Sequence, residues 1–218
     1  MEFLTQFIDI VLHVDKYLSW LLENYGTWIY VILFAIVFCE TGLVVTPFLP
    51  GDSLLFVAGA LAATSGGSFE IGVVIAVLLA AAVLGDNTNY WIGRWAGRRI
   101  LAWGENSRFF NRKAFDVTHA YYETHGGKTM LVARFMPFVR TFAPFVAGAA
   151  NMTYLRYFLF DLCGAVLWVF SLCLAGYWFG NLPWVRANLS LIVFGTIGLS
   201  LVPLVLAWLR QRLAAKAS

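Results

Sequence analysis

Three apolar runs, Ile71 to Ile92, Tyr154 to Phe179 and Leu189 to Trp208, are each long enough to cross a bilayer's hydrocarbon core, which takes about 20 residues as a helix. Lipid offers no partner to a backbone N–H or C=O. Irregular chain at that depth therefore survives only when buried in protein or lining a watery cavity. Composition agrees, with 61% hydrophobic and 12% charged residues, where a soluble domain carries about a quarter charged. The chain reads as an integral membrane protein. Its 218 residues are expected to hold one membrane domain of about four to six helical elements, with no separate soluble catalytic domain.

The charges are unevenly spread. Arg94, Arg98, Arg99, Arg108, Arg112 and Lys113 crowd what reads as one loop, and Arg210, Arg212 and Lys216 lie at the C-terminal end. Both groups are expected on the cytoplasmic side, as topogenic signals rather than as a site for anionic headgroups. Cys39, Cys163 and Cys173 lie in apolar segments without C-x-x-C spacing, so they read as small core residues. His119 and His125 do not share a helical face, and neither a metal nor any other cofactor is expected; nor is a nucleic-acid partner. Glu2, Asp9 and Asp15 leave the N-terminus without the basic region of a cleavable signal peptide.

The predicted organisation is all-α. Residues 1–26, with Phe3, Phe7, Val11 and Leu18 set among Asp9, Asp15 and Lys16, read as an amphipathic interfacial helix. A membrane core over 27–180 starts with a crossing from Trp28 to about Cys39, anchored by Trp28 and Tyr30. The next stretch is broken by Pro47 and by Pro50-Gly51. Its flanks of roughly ten residues each reach about half of a 30 Å core, so a re-entrant hairpin is expected over about 43–63. A second is expected over about 129–150, with its break from Pro137 to Thr141 between Arg134 and Arg140, and Pro144 as a further breaker. A polar turn at Gly66-Gly67 carries no Lys or Arg and reads as external. Residues 181–218 hold the last transmembrane helix and a basic tail. The expected architecture is thus a polytopic α-helical membrane protein with about four transmembrane helices and two opposed hairpins, both termini cytoplasmic. Half-helix ends meeting at the midplane follow the logic of secondary transporters.

Two acids interrupt the first hairpin region, Glu40 and Asp52. An ionised acid at the centre of an inserted helix costs about 2.5–3.5 kcal/mol, which marks such residues as functional candidates. Arg134 and Arg140 stand in equally apolar surroundings, so two acids and two bases are expected to meet. Arginine presents a planar charged fork suited to phosphate. Desolvation favours a neutral carboxyl and a neighbouring arginine favours an ionised one, and these opposed effects keep such a group titratable. The bland alternatives are that Asp52 N-caps the second half-helix and that the arginines are structural ion-pair partners. Asp86 and Asn89 share one helical face. They are expected nearer the headgroups than the cavity. Asp161, near the start of its span, is placed likewise; all three are secondary candidates. Trp20, Trp28, Trp91, Trp95, Trp103, Trp178 and Trp184 fall near expected interfaces, as aromatic belts do.

Taken together, Glu40, Phe48-Leu49-Pro50-Gly51-Asp52-Ser53-Leu54-Leu55, Gly85-Asp86 with Tyr90 and Gly93-Arg94, and Arg134-Phe-Met-Pro137-Phe-Val-Arg140-Thr141 ending in Ala147-Gly148 resemble the DedA family of bacterial inner-membrane proteins, also called the SNARE-associated or VTT-domain family. The resemblance covers about residues 28 to 180. It implies a transporter dependent on the proton-motive force that supports the envelope and translocates an anionic lipid or a lipid-linked phosphate such as undecaprenyl phosphate. It also implies functional roles for Glu40 and Asp52 in proton coupling and for Arg134 and Arg140 in binding phosphate. The expected partners are membrane lipids, the lipid-linked phosphate and protons, with the oligomeric state left open. Rival readings are a proton-coupled exporter of cations or small drugs, a membrane-embedded lipid phosphatase, and a scaffold that transports nothing. An enzyme is not expected, because phosphoester cleavage needs a positioned nucleophile, metal or activated water.

Overall fold

The structure is a computed structural model and describes residues 14–43, 51–102, 134, 137–150, 152–180, 182–184 and 195. Six helices lie among the described residues: α1 (Val14–Tyr25), α2 (Trp28–Gly42), α3 (Gly51–Thr64), α4 (Ile71–Ala102), α5 (Pro137–Ala149) and α6 (Tyr154–Phe179). Gly26, at φ 52°, supplies the left-handed residue that ends α1, and α2 starts two residues later. Two helices are long and apolar enough to cross a membrane, Ile71–Ala96 within α4 and all of α6. The other apolar helices are half-length. At 15 and 14 residues, α2 and α3 extend only about 20–22 Å.

Contacts between the helices order these pieces along one axis. At one end, the Glu70 backbone N–H donates to the Tyr30 hydroxyl at 3.1 Å, and the rings of Tyr30 and Phe69 stack at 5.1 Å. The start of α2 therefore lies beside the turn that joins α3 to α4. Halfway along, the Gly42 and Gly85 backbones come together, and Gly51 abuts Glu40. The chain runs inward along α2 and back along α3, so these two helices are the antiparallel arms of one hairpin. The stretch expected as a crossing from Trp28 is α2, which stops at Gly42, where Leu43 turns extended. At the far end the Tyr90 hydroxyl donates to the Met152 carbonyl at 2.5 Å and its ring stacks on Tyr157 at 4.3 Å.

Each half-length helix packs on a long one through glycine. A Cβ on Gly59 would overlap the Cys173 carbonyl and one on Gly176 the Phe56 carbonyl, which fixes α3 on α6. Gly93 and Gly148 stand in the same relation to the backbones of Phe145 and Tyr90, which fixes α5 on α4. Small residues of this kind let membrane helices approach closely enough for dispersion to hold them. Apolar clusters fill the two ends, one around Leu33, Leu55, Leu78 and Val169, the other around Tyr90, Ala147 and Tyr157. Between them lies a layer of buried charge.

Several local expectations change. Arg94, Arg98 and Arg99 stand on α4, which continues unbroken to Ala102, and not in a loop. Pro137 opens α5, as suits a residue with no N–H to give. Pro144 lies inside that helix and does not break it, and the stretch Pro137 to Thr141, expected as a break, is its first turn. Among the cysteines only Cys173 is in the core; Cys163 is exposed. Trp20, Trp28, Trp91, Trp95, Trp178 and Trp184 are all exposed. Trp103, His119, His125 and, apart from residue 195, the last span, 189–208, fall outside the described residues, as do Pro47 and Pro50.

Close packing of α3 on α6 makes a direct prediction. Gly176→Val forces the helices apart, an overpacking cost of about 1–3 kcal/mol, and is expected to lower the melting midpoint of the detergent-solubilised protein. Gly72→Ala, whose Cβ would meet nothing nearer than 4.0 Å, leaves that midpoint unchanged or slightly raised.

Candidate functional site: a buried layer of ion pairs

The tip of the α2–α3 hairpin carries two carboxylates, Glu40 in the last turn of α2 and Asp52 in the first turn of α3. Arg140, in the first turn of α5, reaches both. Its Nη2 donates to Glu40 Oε1 and its Nη1 to Asp52 Oδ1 at 2.6 Å. Each terminal nitrogen of the fork thus gives one charge-assisted bond to a different acid, and the two acids come from two helices. Glu40 and Arg140 are well buried, with side-chain exposures of 1% and 9%, while Asp52 is half-buried at 21%. Gly51 leaves room for the Glu40 carboxylate, which a Cβ at that position would displace. Asp52 follows the start of α3 rather than preceding it, so an ion pair, and not only a helix end, occupies its carboxylate.

Arg134 forms a second cluster. Its Nη2 donates to Asp86 Oδ2 at 2.5 Å and to Asp161 Oδ1 at 3.1 Å. Arg134, Asp86 and Asp161 are all buried, at 5%, 2% and 2% exposure. Asp86 and Asp161 therefore face the interior of the bundle and not headgroups. The long helices explain why: Asp86 comes directly after Gly85, where α4 touches Gly42, so its face of α4 is turned inward. Asn89 shares that face, is fully buried, and donates from Nδ2 to the Thr41 carbonyl at 3.2 Å and the Thr141 carbonyl at 2.8 Å. One amide side chain thus ties α2 and α5 to α4.

The expected single site of two acids and two bases is resolved into two clusters. Glu40, Asp52 and Arg140 come together as anticipated, while Arg134 pairs with the secondary candidates. Trp168 was not anticipated. Its Nε1–H donates to Asp52 Oδ1 at 2.8 Å, and its ring lies 5.0 Å from the Arg140 guanidinium carbon and 5.7 Å from that of Arg134. A signal was available: Trp168 follows Asp161 by seven residues, which puts both on one face of α6.

A helical bundle whose half-length helices end on a buried layer of ions, crossed by two long apolar helices, belongs to a membrane protein. The VTT domain matches residues 49–178, and the chain belongs to that family, the DedA family. It is 49% identical to Protein DedA of Escherichia coli K12 over 215 residues, 99% of this chain and 98% of the relative. It is 45% identical to an uncharacterised membrane protein of Mycobacterium leprae over 79% of this chain and 77% of the relative. Inner membrane protein YqjA of Escherichia coli K12 is 36% identical over 71% of this chain and 69% of the relative. No solved structure matches the chain.

Two separate clusters predict a pattern of coupling. Removing one partner of a buried ion pair costs about 3–5 kcal/mol, because the other charge stays buried and unpaired. Within a cluster the losses overlap: Arg134→Gln with Asp86→Asn is expected to destabilise by less than the sum of the single variants, by a coupling of about 0.5–3 kcal/mol. Arg134→Gln with Glu40→Gln shares no ion pair and is expected to come closer to additivity. Melting midpoints of the purified variants measure both cycles, and equal coupling in the two would overturn the division into clusters.

Proposed function

We propose that the chain is an inner-membrane transporter that moves an anionic lipid or a lipid-linked phosphate between leaflets, driven by protons. The observation that carries the reading is Arg140, a buried guanidinium held by two acids that come from the two arms of one hairpin. With no substrate, ionised Glu40 and Asp52 occupy the fork. Protons delivered to those carboxyls release it, and a phosphate, the other ligand that fits a guanidinium two-pronged, takes their place. Arg134 is engaged by Asp86 and Asp161 instead, so release of Arg140 does not by itself release both arginines. Membrane proteins named among the relatives, one of them an inner membrane protein, support the location.

The hairpin geometry also supports a topology. The start of α2, the Gly66-Gly67 turn and the Phe179 end of α6 lie at one end of the bundle, and the arginines of α4 lie with Tyr154 at the other. With the arginines inside, α2 and α3 form a re-entrant hairpin from outside and α1 sits on the outer face, in place of the cytoplasmic side expected for the N-terminus. In a cysteine-free background, Asn24→Cys and Ser68→Cys are expected to react with an impermeant thiol reagent from one side and Arg156→Cys from the other.

A second reading, export of cations or small drugs, is favoured by the excess of acids, since Glu40, Asp52, Asp86 and Asp161 face only Arg134 and Arg140 in the layer. Purified protein in liposomes with labelled lipid phosphate and an imposed proton gradient separates the two. Wild type is expected to move lipid faster than protein-free vesicles. Arg140→Ala, which loses a charge-assisted contact worth about 1.5–3 kcal/mol, is expected to be slower by roughly ten- to a hundredfold. Glu40→Gln and Asp52→Asn are expected to lose dependence on the gradient. Wild-type rates in all three variants, or a cationic dye moved in preference to lipid, would sink the lipid reading.

A further inference from the structure

We propose that Trp168 is the positioning residue through which the Arg140 and Arg134 clusters act as one switch. The indole binds to both at once. Its Nε1–H donates to Asp52 Oδ1 at 2.8 Å, the same oxygen that accepts from Arg140 Nη1 at 2.6 Å. Its ring is within reach of both guanidiniums, 5.0 Å from Arg140 and 5.7 Å from Arg134, inside the range of about 6 Å over which a ring face attracts a cation. The indole itself is buried, at 3% exposure. Among the described residues no ion pair joins one cluster to the other, whereas the indole touches both.

The local sequence makes room for that path. Asp161 and Trp168 stand two turns apart on one face of α6, and the residues between them on that face, Gly164 and Ala165, are buried and small. Arg134 thus meets Asp161 at one step of α6 and the indole at the next. A core tryptophan needs only some acceptor for its N–H; this one has taken a carboxylate that also holds the guanidinium of the proposed transport site. If Arg140 leaves Asp52 for an anion, the indole loses a cation from its face and its acceptor loses a competing donor. The ring then shifts relative to Arg134, whose own acids, Asp86 and Asp161, are altered in turn. The charged groups facing Trp168 are Asp52 from α3, Arg140 from α5 and Arg134 ahead of α5, with Glu40 of α2, Asp86 of α4 and Asp161 of α6 one contact further.

The role as a switch in transport rests on the function proposed above, whereas the coupling itself does not, and the test keeps them apart. Full-length protein with nitrogen-15 in its indoles is placed in lipid nanodiscs, and the Trp168 N–H resonance is assigned by its loss in Trp168→Phe. The resonance is expected to move in Asp52→Asn, its direct acceptor, and also in Asp86→Asn, whose ion-pair partner is Arg134. A resonance that ignores Asp86→Asn overturns the coupling. In liposomes, Trp168→Leu is expected to transport lipid roughly tenfold more slowly. Trp168→Phe, which keeps the ring and loses the N–H, is expected to recover most of that rate with its pH midpoint displaced. Equal losses in the two variants with an unmoved pH profile would mean a structural role only and overturn the proposal. An indole that responds to Asp86→Asn in a protein that moves no lipid would leave the coupling standing and remove the transport reading.

Discussion

A guanidinium carries its charge wherever it goes, and Arg140 carries it into the middle of an apolar bundle. Taking one ion of this size out of water costs several kcal/mol even after the surroundings relax, and only well-aligned partners offset that. The partners are Glu40 and Asp52, which come from the end of one helix and the beginning of the next. That requirement fixes much of the architecture. Because α2, α3 and α5 must all bring an end to the depth of the layer, none of them runs the length of α4 or α6. Residues at those ends must come within hydrogen-bonding distance, so Gly51 meets Glu40 without a Cβ between them, and Gly42 meets Gly85.

Helices that stop halfway have lost half of their packing surface, and the bundle supplies it elsewhere. α3 lies on α6 through Gly59 and Gly176, and α5 lies on α4 through Gly93 and Gly148. Asn89 adds directional bonds where the glycines supply only contact, holding the carbonyls of Thr41 and Thr141, one residue away from Glu40 and Arg140. An error of a few tenths of an ångström at any of these seams is felt at the ions, since close-packed interiors transmit displacement instead of absorbing it. The two apolar ends and the charged layer are in this sense one mechanical unit.

Much of this was legible in the chain. The span from Tyr154 to Phe179 coincides with α6, because an unbroken apolar run between polar turns leaves little choice. Glu40, Asp52 and Arg140 were identifiable by cost alone: a charge in such surroundings requires a partner. Harder were the residues whose meaning depends on a neighbour. Periodicity puts Asp86 and Asn89 on one face of α4 but says nothing about what that face meets, and Asp161 sits far enough into α6 for either environment. Proline was misleading in the opposite direction. Pro144 lacks a donor and looks like a break, yet α5 continues through it, and Arg94, Arg98 and Arg99 look like loop although α4 carries them as helix. Trp168 was hidden among many tryptophans, most of which do face outward.

The layer also constrains what an exchange of partners must look like. Both arginines in it are engaged: Arg140 holds two acids and lies over an indole, and Arg134 does the same. Breaking either pair with nothing to replace it leaves bare charge in a dry interior, the costliest outcome available. A neutral ligand therefore gains nothing by arriving. A phosphate brings its own negative charge and several acceptors, so the guanidinium passes from one anionic partner to another without an uncompensated step, provided the displaced carboxyls take protons as they leave. For the proposed transport of an anionic lipid, charge balance alone would thus tie the movement of the anion through this layer to the movement of protons.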